Sequence, residues 1–124
     1  GTNLYVADYG NHRIRKIVID NGTVTTLAGS SSGNTDATGT SASFSYPTGI
    51  TTDGTNLYVS DQSNQWIRKI VISTGVVTTL AGSSSGSTDA TGTSASFNYP
   101  IGITTDGTNL YVSDTYNHRI RKIE

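Results

Sequence analysis

Polar and apolar positions alternate in short runs along this chain and never settle into a helical period. Leu57-Tyr58-Val59-Ser60, Trp66 to Ile72 and Val76 to Ala81 are rich in β-branched and aromatic residues, which suit a pleated surface. Ile50-Thr51-Thr52, after Tyr46-Pro47, is a fourth such run. No segment sustains a 3.6-residue apolar pattern, so no long helix is expected. Turn signals separate the runs. Asp53-Gly54 and Asp106-Gly107 stand between the first and second strands, where Asp-Gly predicts a hairpin with positive φ at both central residues. Thr74-Gly75 and Asn21-Gly22 mark the turn between the third and fourth. Each set of four strands is followed by a long Ser/Thr/Gly-rich connection, Gly82 to Asn98 in the middle of the chain. A short helical turn is expected there at Thr93-Ser94-Ala95-Ser96-Phe97, with Phe44 and Phe97 anchoring the connection on the core.

The whole pattern recurs. Gly1-Thr2-Asn3-Leu4-Tyr5-Val6 returns at Gly54 and again at Gly107, 53 residues apart each time, and segments 1–53 and 54–106 differ at 11 positions. The chain is therefore read as one domain of two full repeats, 1–53 and 54–106, and a partial third, 107–124. Four antiparallel strands per repeat, at a period near about 40–50 residues, is the arithmetic of a β-propeller blade. The fold class is all-β.

The run Leu-Tyr-Val-Ser-Asp-x-x-Asn-His-Arg-Ile-Arg-Lys-Ile at 110–123, and nearly the same run at 4–17, resembles the NHL repeat. That repeat is named for an Asn-His-Leu triplet, which reads Asn11-His12-Arg13 and Asn117-His118-Arg119 here and departs further as Asn64-Gln65-Trp66. The preceding Phe-x-Tyr-Pro-x-Gly-Ile is similar to the family's lead-in to the innermost strand. The resemblance covers essentially the whole chain and is closest to tandem NHL blades of a bacterial extracellular type. It implies four strands per blade ordered from the axis outward, in an arc of about two and a half blades. It implies little about activity, because the fold hosts lyases, lactonases, receptors and RNA or protein binders.

The segment begins at a second strand and ends after a third, whereas the resemblance implies a complete propeller of about six blades, within the usual range of propellers. Open blade faces and strand edges recruit other chains, so homo-oligomerisation is expected. A dimer is the simplest ring. The strand types do not balance in it, and a head-to-tail contact that fails to close gives a filament. The alternative is a window on a longer tandem array. The chain has no starting Met and no signal peptide, which suggests a mature, processed or excerpted product.

Composition narrows the chemistry. Eight Lys and Arg nearly balance nine Asp and Glu, so net charge gives no pull toward nucleic acid or anionic membrane. There is no stretch of about 18 apolar residues to span a bilayer. Cysteine is absent, which removes disulfides and thiolate metal sites. The polar, weakly charged style points to the outside of the cell or its surface.

Five of the 11 repeat differences fall at the turn between strands two and three: Ala7/Ser60, Tyr9/Gln62, Gly10/Ser63, His12/Gln65 and Arg13/Trp66. Loops on a rigid scaffold carry binding, so Tyr9, His12, Arg13, Gln62, Gln65, Trp66, Tyr116, His118 and Arg119 are the candidate binding residues, set against drift at exposed turns. Asp8, Asp61 and Asp114 end strand two and are each followed three residues later by Asn. A structural role fits them best, the Asp accepting backbone N–H groups of the turn and the Asn adopting the left-handed conformation. His12 and His118 are the only histidines, too few for zinc unless subunits share ligands. No metal or cofactor is expected. The Ser residues form no nucleophile–base set, and near-identical repeats argue against one asymmetric active site.

Arg15-Lys16, Arg68-Lys69 and Arg121-Lys122 recur on strand three, either as a basic stripe for RNA or as snorkelling stems on an exposed edge. Loops 29–45 and 82–98 are read as displayed or as packed across neighbouring blades, Asp36 and Asp89 within them being isolated acids. Asn21-Gly22-Thr23 is a lone glycosylation sequon. The leading expectation is a non-enzymatic, self-associating extracellular scaffold that displays repeated loops. A protein-, glycan- or RNA-binding interaction module comes second, and a metal-dependent lyase or lactonase completed by missing blades third.

Overall fold

The computed structural model describes residues 1–124 as ten strands in three antiparallel sheets. The strands are β1 (Asn3–Asp8), β2 (Arg13–Val18), β3 (Val24–Gly29), β4 (Pro47–Thr52), β5 (Asn56–Asp61), β6 (Trp66–Val71), β7 (Val77–Ala81), β8 (Pro100–Thr105), β9 (Leu110–Asp114) and β10 (Arg119–Ile123). The first sheet is β1-β2-β3, the middle sheet β4-β5-β6-β7 and the third β8-β9-β10, each in sequence order. These are β-propeller blades. The middle one has all four strands, the first has strands two to four, and the third has strands one to three. No helix exceeds a single 3-10 turn.

Period-two alternation explains the stacking. In β5, Leu57 and Val59 join a core with Ile14, Ala28 and Phe44 on the side of the first sheet. The opposite face of the middle sheet sends Ile67 and Ala81 against Phe97, Leu110 and Val112. The middle sheet is thus covered on both sides, and burial of each of its Leu, Val and Ile side chains is worth about 1.5–3 kcal/mol. The inner strands meet directly, β4 lying between β1 and β8.

The Asp-Gly corners differ from expectation. Only Gly54 and Gly107 have positive φ. Asp53 instead caps the turn with its side chain, Oδ1 accepting the N–H groups of Thr55 (2.9 Å) and Asn56 (2.7 Å). Asp106 does the same with Thr108 and Asn109. Self-bonding of this kind offers the backbone an alternative to the two-residue hairpin. The helical turn in the long connection is also shorter and earlier, a 3-10 turn at Gly39–Ser41 and Gly92–Ser94. Phe44 and Phe97 anchor the connection as expected, both buried.

Candidate functional site

The long connection does not stay with the sheet it leaves. After β3 it runs onto the middle sheet, and after β7 onto the third. Gly29 (φ +92°) and Gly82 (φ +103°) make the departure possible, since a Cβ at either would collide with the backbone of the strand two–three turn. The connection then closes over an arginine. Arg68 on β6 is fully buried. Its Nη1 donates to Asp61 Oδ2 (2.7 Å) and to the Ser43 carbonyl (2.9 Å). Its Nη2 donates to the Thr35 carbonyl (3.1 Å) and to Asp36 Oδ1 (2.6 Å), and its guanidinium lies 4.9 Å from the Phe44 ring centre. Arg121 repeats the arrangement with Asp114, Ser96, Thr88 and Asp89, over Phe97.

Asp61 is equally buried, accepting also from Ser45 N–H (2.7 Å) and Asn64 Nδ2 (2.8 Å). Burial pushes its carboxyl up, against the hydrogen bonds of Asn64, Ser45 and Arg68 that hold it down. The charged pair is therefore a costly interior feature, held by the partners of both guanidinium Nη groups and of the carboxylate while the Arg68 Nε stays buried without one. Its geometry fixes the connection on the sheet.

The turns between strands two and three and the ends of the long connections share one end of each sheet, because an antiparallel order of four brings the chain back there. Each such turn is a 3-10 turn closed by a left-handed residue, His12 (φ 57°), Gln65 (66°) or His118 (57°). His12 Nδ1 accepts the Tyr46 N–H (3.1 Å) and Gln65 Oε1 the Tyr99 N–H (2.6 Å), so His and Gln do one job at successive seams. The Tyr9 and Tyr46 ring centres lie 4.9 Å apart at a tilt of 49°, and those of Tyr99 and Tyr116 4.6 Å apart at 38°.

The family model for the NHL repeat matches residues 97–123, and NHL repeat-containing protein 2 of Homo sapiens is 33% identical over 98% of this chain. The chain belongs to the NHL-repeat family. It spans about a fifth of the human relative's length (19%). A structural genomics protein of unknown function from Bacteroides thetaiotaomicron superposes with a TM-score of 0.83 at 31% identity, over 97% of this chain and 32% of that one. An auxiliary nutrient binding protein from Bacteroides ovatus superposes at 0.85 and 27% identity, over 99% of this chain and 35% of that one.

Within this NHL arc the candidate residues separate into two groups. Tyr9, Arg13, Tyr116, His118 and Arg119 are exposed at the turn end. His12, Gln62 and Gln65 are partly covered there, His12 and Gln65 as acceptors at the seams. Trp66 leaves the group, being half-buried and donating its Nε1–H to the Ser83 carbonyl (3.0 Å) where the long connection starts. No cluster of three or more His, Asp or Glu side chains forms a metal-binding group.

Three expectations are corrected. Arg68 and Arg121 are buried rather than part of an exposed basic stripe, because three of the four partners of each come from the preceding repeat. Asp36 is no isolated acid: besides Arg68 it accepts from Thr79 N–H and Oγ1 (both 3.1 Å). Asp61 and Asp114 take backbone N–H groups from the incoming connection, at Ser45 and Asn98, not from their own turn, and the left-handed residue is the one after the Asn. The long loops are accordingly fastened seams rather than free displays. The arginine network was missed because its members lie 32 and 25 residues apart. The available signal was that Asp, Asn and Arg repeat without change at a turn where their neighbours vary.

Proposed function

We propose that this NHL chain is a non-enzymatic scaffold that associates with further copies of itself through the outer faces of its first and third sheets, outside the cell. One observation carries the reading. Leu57 and Val59 are buried, 1% and 0% exposed, while their counterparts Leu4 and Val6 on the first sheet stand 53% and 39% exposed; Ile120 on the third is 74% exposed where Ile14 and Ile67 are 0%. The two bare faces are of the kinds that mate at the seams within the chain, so one copy's first sheet fits another copy's third. The near-identical repeats, which differ at 11 of 53 positions, support assembly over catalysis. The Ser/Thr-rich, weakly charged composition supports an extracellular setting.

Sedimentation of the 13.0 kDa chain tests it. Assemblies that dissociate on Leu4→Lys or Ile120→Lys are expected, and a concentration-independent monomer would overturn it. A second reading is favoured by the tilted tyrosine pairs, of which Tyr9, Tyr46 and Tyr116 are exposed at the turn end. They fit a ligand-binding face, and a structural neighbour is described as a nutrient binding protein. Loss of ligand capture in Tyr46→Ala with assembly intact would favour it.

A further inference from the structure

The repeat differences gather at a second place besides the turn between strands two and three. Three of the 11 fall at the hairpin between β2 and β3: Asp20/Ser73, Asn21/Thr74 and Thr23/Val76, with Gly22 and Gly75 unchanged between them. Both defining positions of the Asn21-Gly22-Thr23 sequon are thus present in one repeat and replaced in the next. The backbone does not explain the change. Gly22 has φ +73° and Gly75 +75°. In each hairpin the side chain before the glycine accepts the N–H two residues on, Asn21 Oδ1 from Thr23 (3.0 Å) and Thr74 Oγ1 from Val76 (3.3 Å). A threonine therefore makes the same turn as an asparagine, and the asparagine is free to serve something else.

Asn21, Gly22 and Thr23 are all exposed. The bond to the Thr23 N–H holds Asn21 by its oxygen, which leaves the Nδ2 side of the amide turned to solvent. The middle hairpin shows that this position stays open when a neighbour lies against it. There the incoming connection touches the turn, Gly39 N–H donating to the Gly75 carbonyl (2.9 Å) and Thr38 bridging to Val76. It covers Gly75, yet Thr74 remains exposed and Val76 is 37% exposed. A group attached at the place of Asn21 or Thr74 is therefore compatible with a sheet that is covered on both sides.

We propose that Asn21 is the acceptor for an N-linked oligosaccharide, carried by one repeat and withheld from the next. Asn-x-Thr, with a residue other than Pro between, is the acceptor signature of surface loops. Transfer joins Asn21 Nδ2 to the anomeric carbon of a sugar carried on a lipid diphosphate. The bond from that carbon to the phosphate oxygen breaks, the lipid diphosphate leaves with the electron pair, and one amide proton is released. The sugar then stands on the turn between the two outer strands of its blade, where it adds bulk and solubility without entering a seam. The inference rests on the extracellular part of the proposed function, because such transfer acts on chains bound for the outside of the cell.

Secretion of the full chain from a eukaryotic cell behind a cleavable leader tests the site by intact mass. An added, heterogeneous mass is expected. Peptide N-glycosidase should remove it and leave Asp in place of Asn21, with every other asparagine unchanged. Asn21→Gln should abolish the addition. Thr23→Val should abolish it too while keeping the turn, since the middle repeat folds with Val76 there; this variant keeps the test valid if Asn21→Gln disturbs the hairpin. Thr23→Ser should retain part of it. A secreted chain of unmodified mass, or an added mass that survives Thr23→Val, overturns the inference. The leader makes that result independent of where the natural protein resides, so failure there removes this inference and leaves the extracellular reading standing. Immunolabelling that finds the natural protein inside the cell removes the extracellular reading and this inference with it.

Discussion

Arg15 in the first sheet and Arg68 in the middle sheet occupy the same place in the repeat and meet different fates. Arg68 is completely buried and has four partners. Arg15 has one, Asp8 Oδ2 at 2.9 Å, and its side chain is 28% exposed; the Nε of both arginines is buried without a partner. The difference is the connection of the preceding repeat, which within residues 1–124 reaches Arg68 and Arg121, whereas the corresponding positions for Arg15 fall before residue 1. The lesson concerns where an NHL blade ends. Its strands define a sheet, but the side chains inside that sheet are completed by the repeat before it. A surface ion pair and a buried one thus arise from identical local sequence.

The largest effect should come from deleting the two arginines in parallel. Arg68→Ala strands Asp61 as an uncompensated buried charge and should cost roughly 3–5 kcal/mol, whereas Arg15→Ala should cost under about 1 kcal/mol. Urea unfolding measures both, and equal losses would erase the contrast. Next come the acids of the connection. Asp36→Asn gives up the charge on Arg68 and weakens its hold on Thr79, a loss of about 1–2 kcal/mol, while Asp89→Asn should cost less than about 0.5 kcal/mol because that carboxylate faces solvent. Smaller still is the seam histidine. His12→Ala frees the Tyr46 N–H and should lower stability by about 0.5–1.5 kcal/mol, read as a drop in Tm, while His118→Ala should stay within about 0.5 kcal/mol.

The Asp53 corner is held by contacts within its own sheet alone. Backbone N–H groups of Asn56 and Thr55, with the Tyr58 hydroxyl, lower the Asp53 carboxyl from 3.8 to about 2. Because its folded pKa lies below its unfolded one, Asp53 stabilises the fold above 3.8 and loses that contribution as pH falls toward about 2. Asp106 is lowered by the same turn in the third sheet. Asp53→Asn and Asp106→Asn should each flatten the acid side of the Tm–pH profile to a similar extent; a much larger effect in one sheet would show that these turns also depend on neighbours.

The strands were legible because period-two alternation and a 53-residue repeat act locally. The middle sheet's strands fall within a few residues of Ile50–Thr52, Leu57–Ser60, Trp66–Ile72 and Val76–Ala81. The Asp53 turn was misjudged in detail because a carboxylate competing for backbone N–H groups leaves the same Asp-Gly signature as a two-residue hairpin. The arginine network was illegible for a different reason. Asp36 and Arg68 sit in different repeats, in a polar loop and an apparently amphipathic strand, and only the folded path of the connection brings them within 2.6 Å. Gln65 doing the work of His12 was likewise hidden, since an imidazole and an amide share nothing in sequence but can each offer one acceptor to the same N–H.

Both completed arginines find their loop acid 32 residues upstream. A duplication of one 53-residue period therefore copies lock and key together. Each new blade would be born already fastened to the one before it, whatever point in the period the break fell on. Lengthening or shortening by whole periods would require no later adjustment of the joints, and the near-identity of the two complete copies is what recent growth by that route would leave behind.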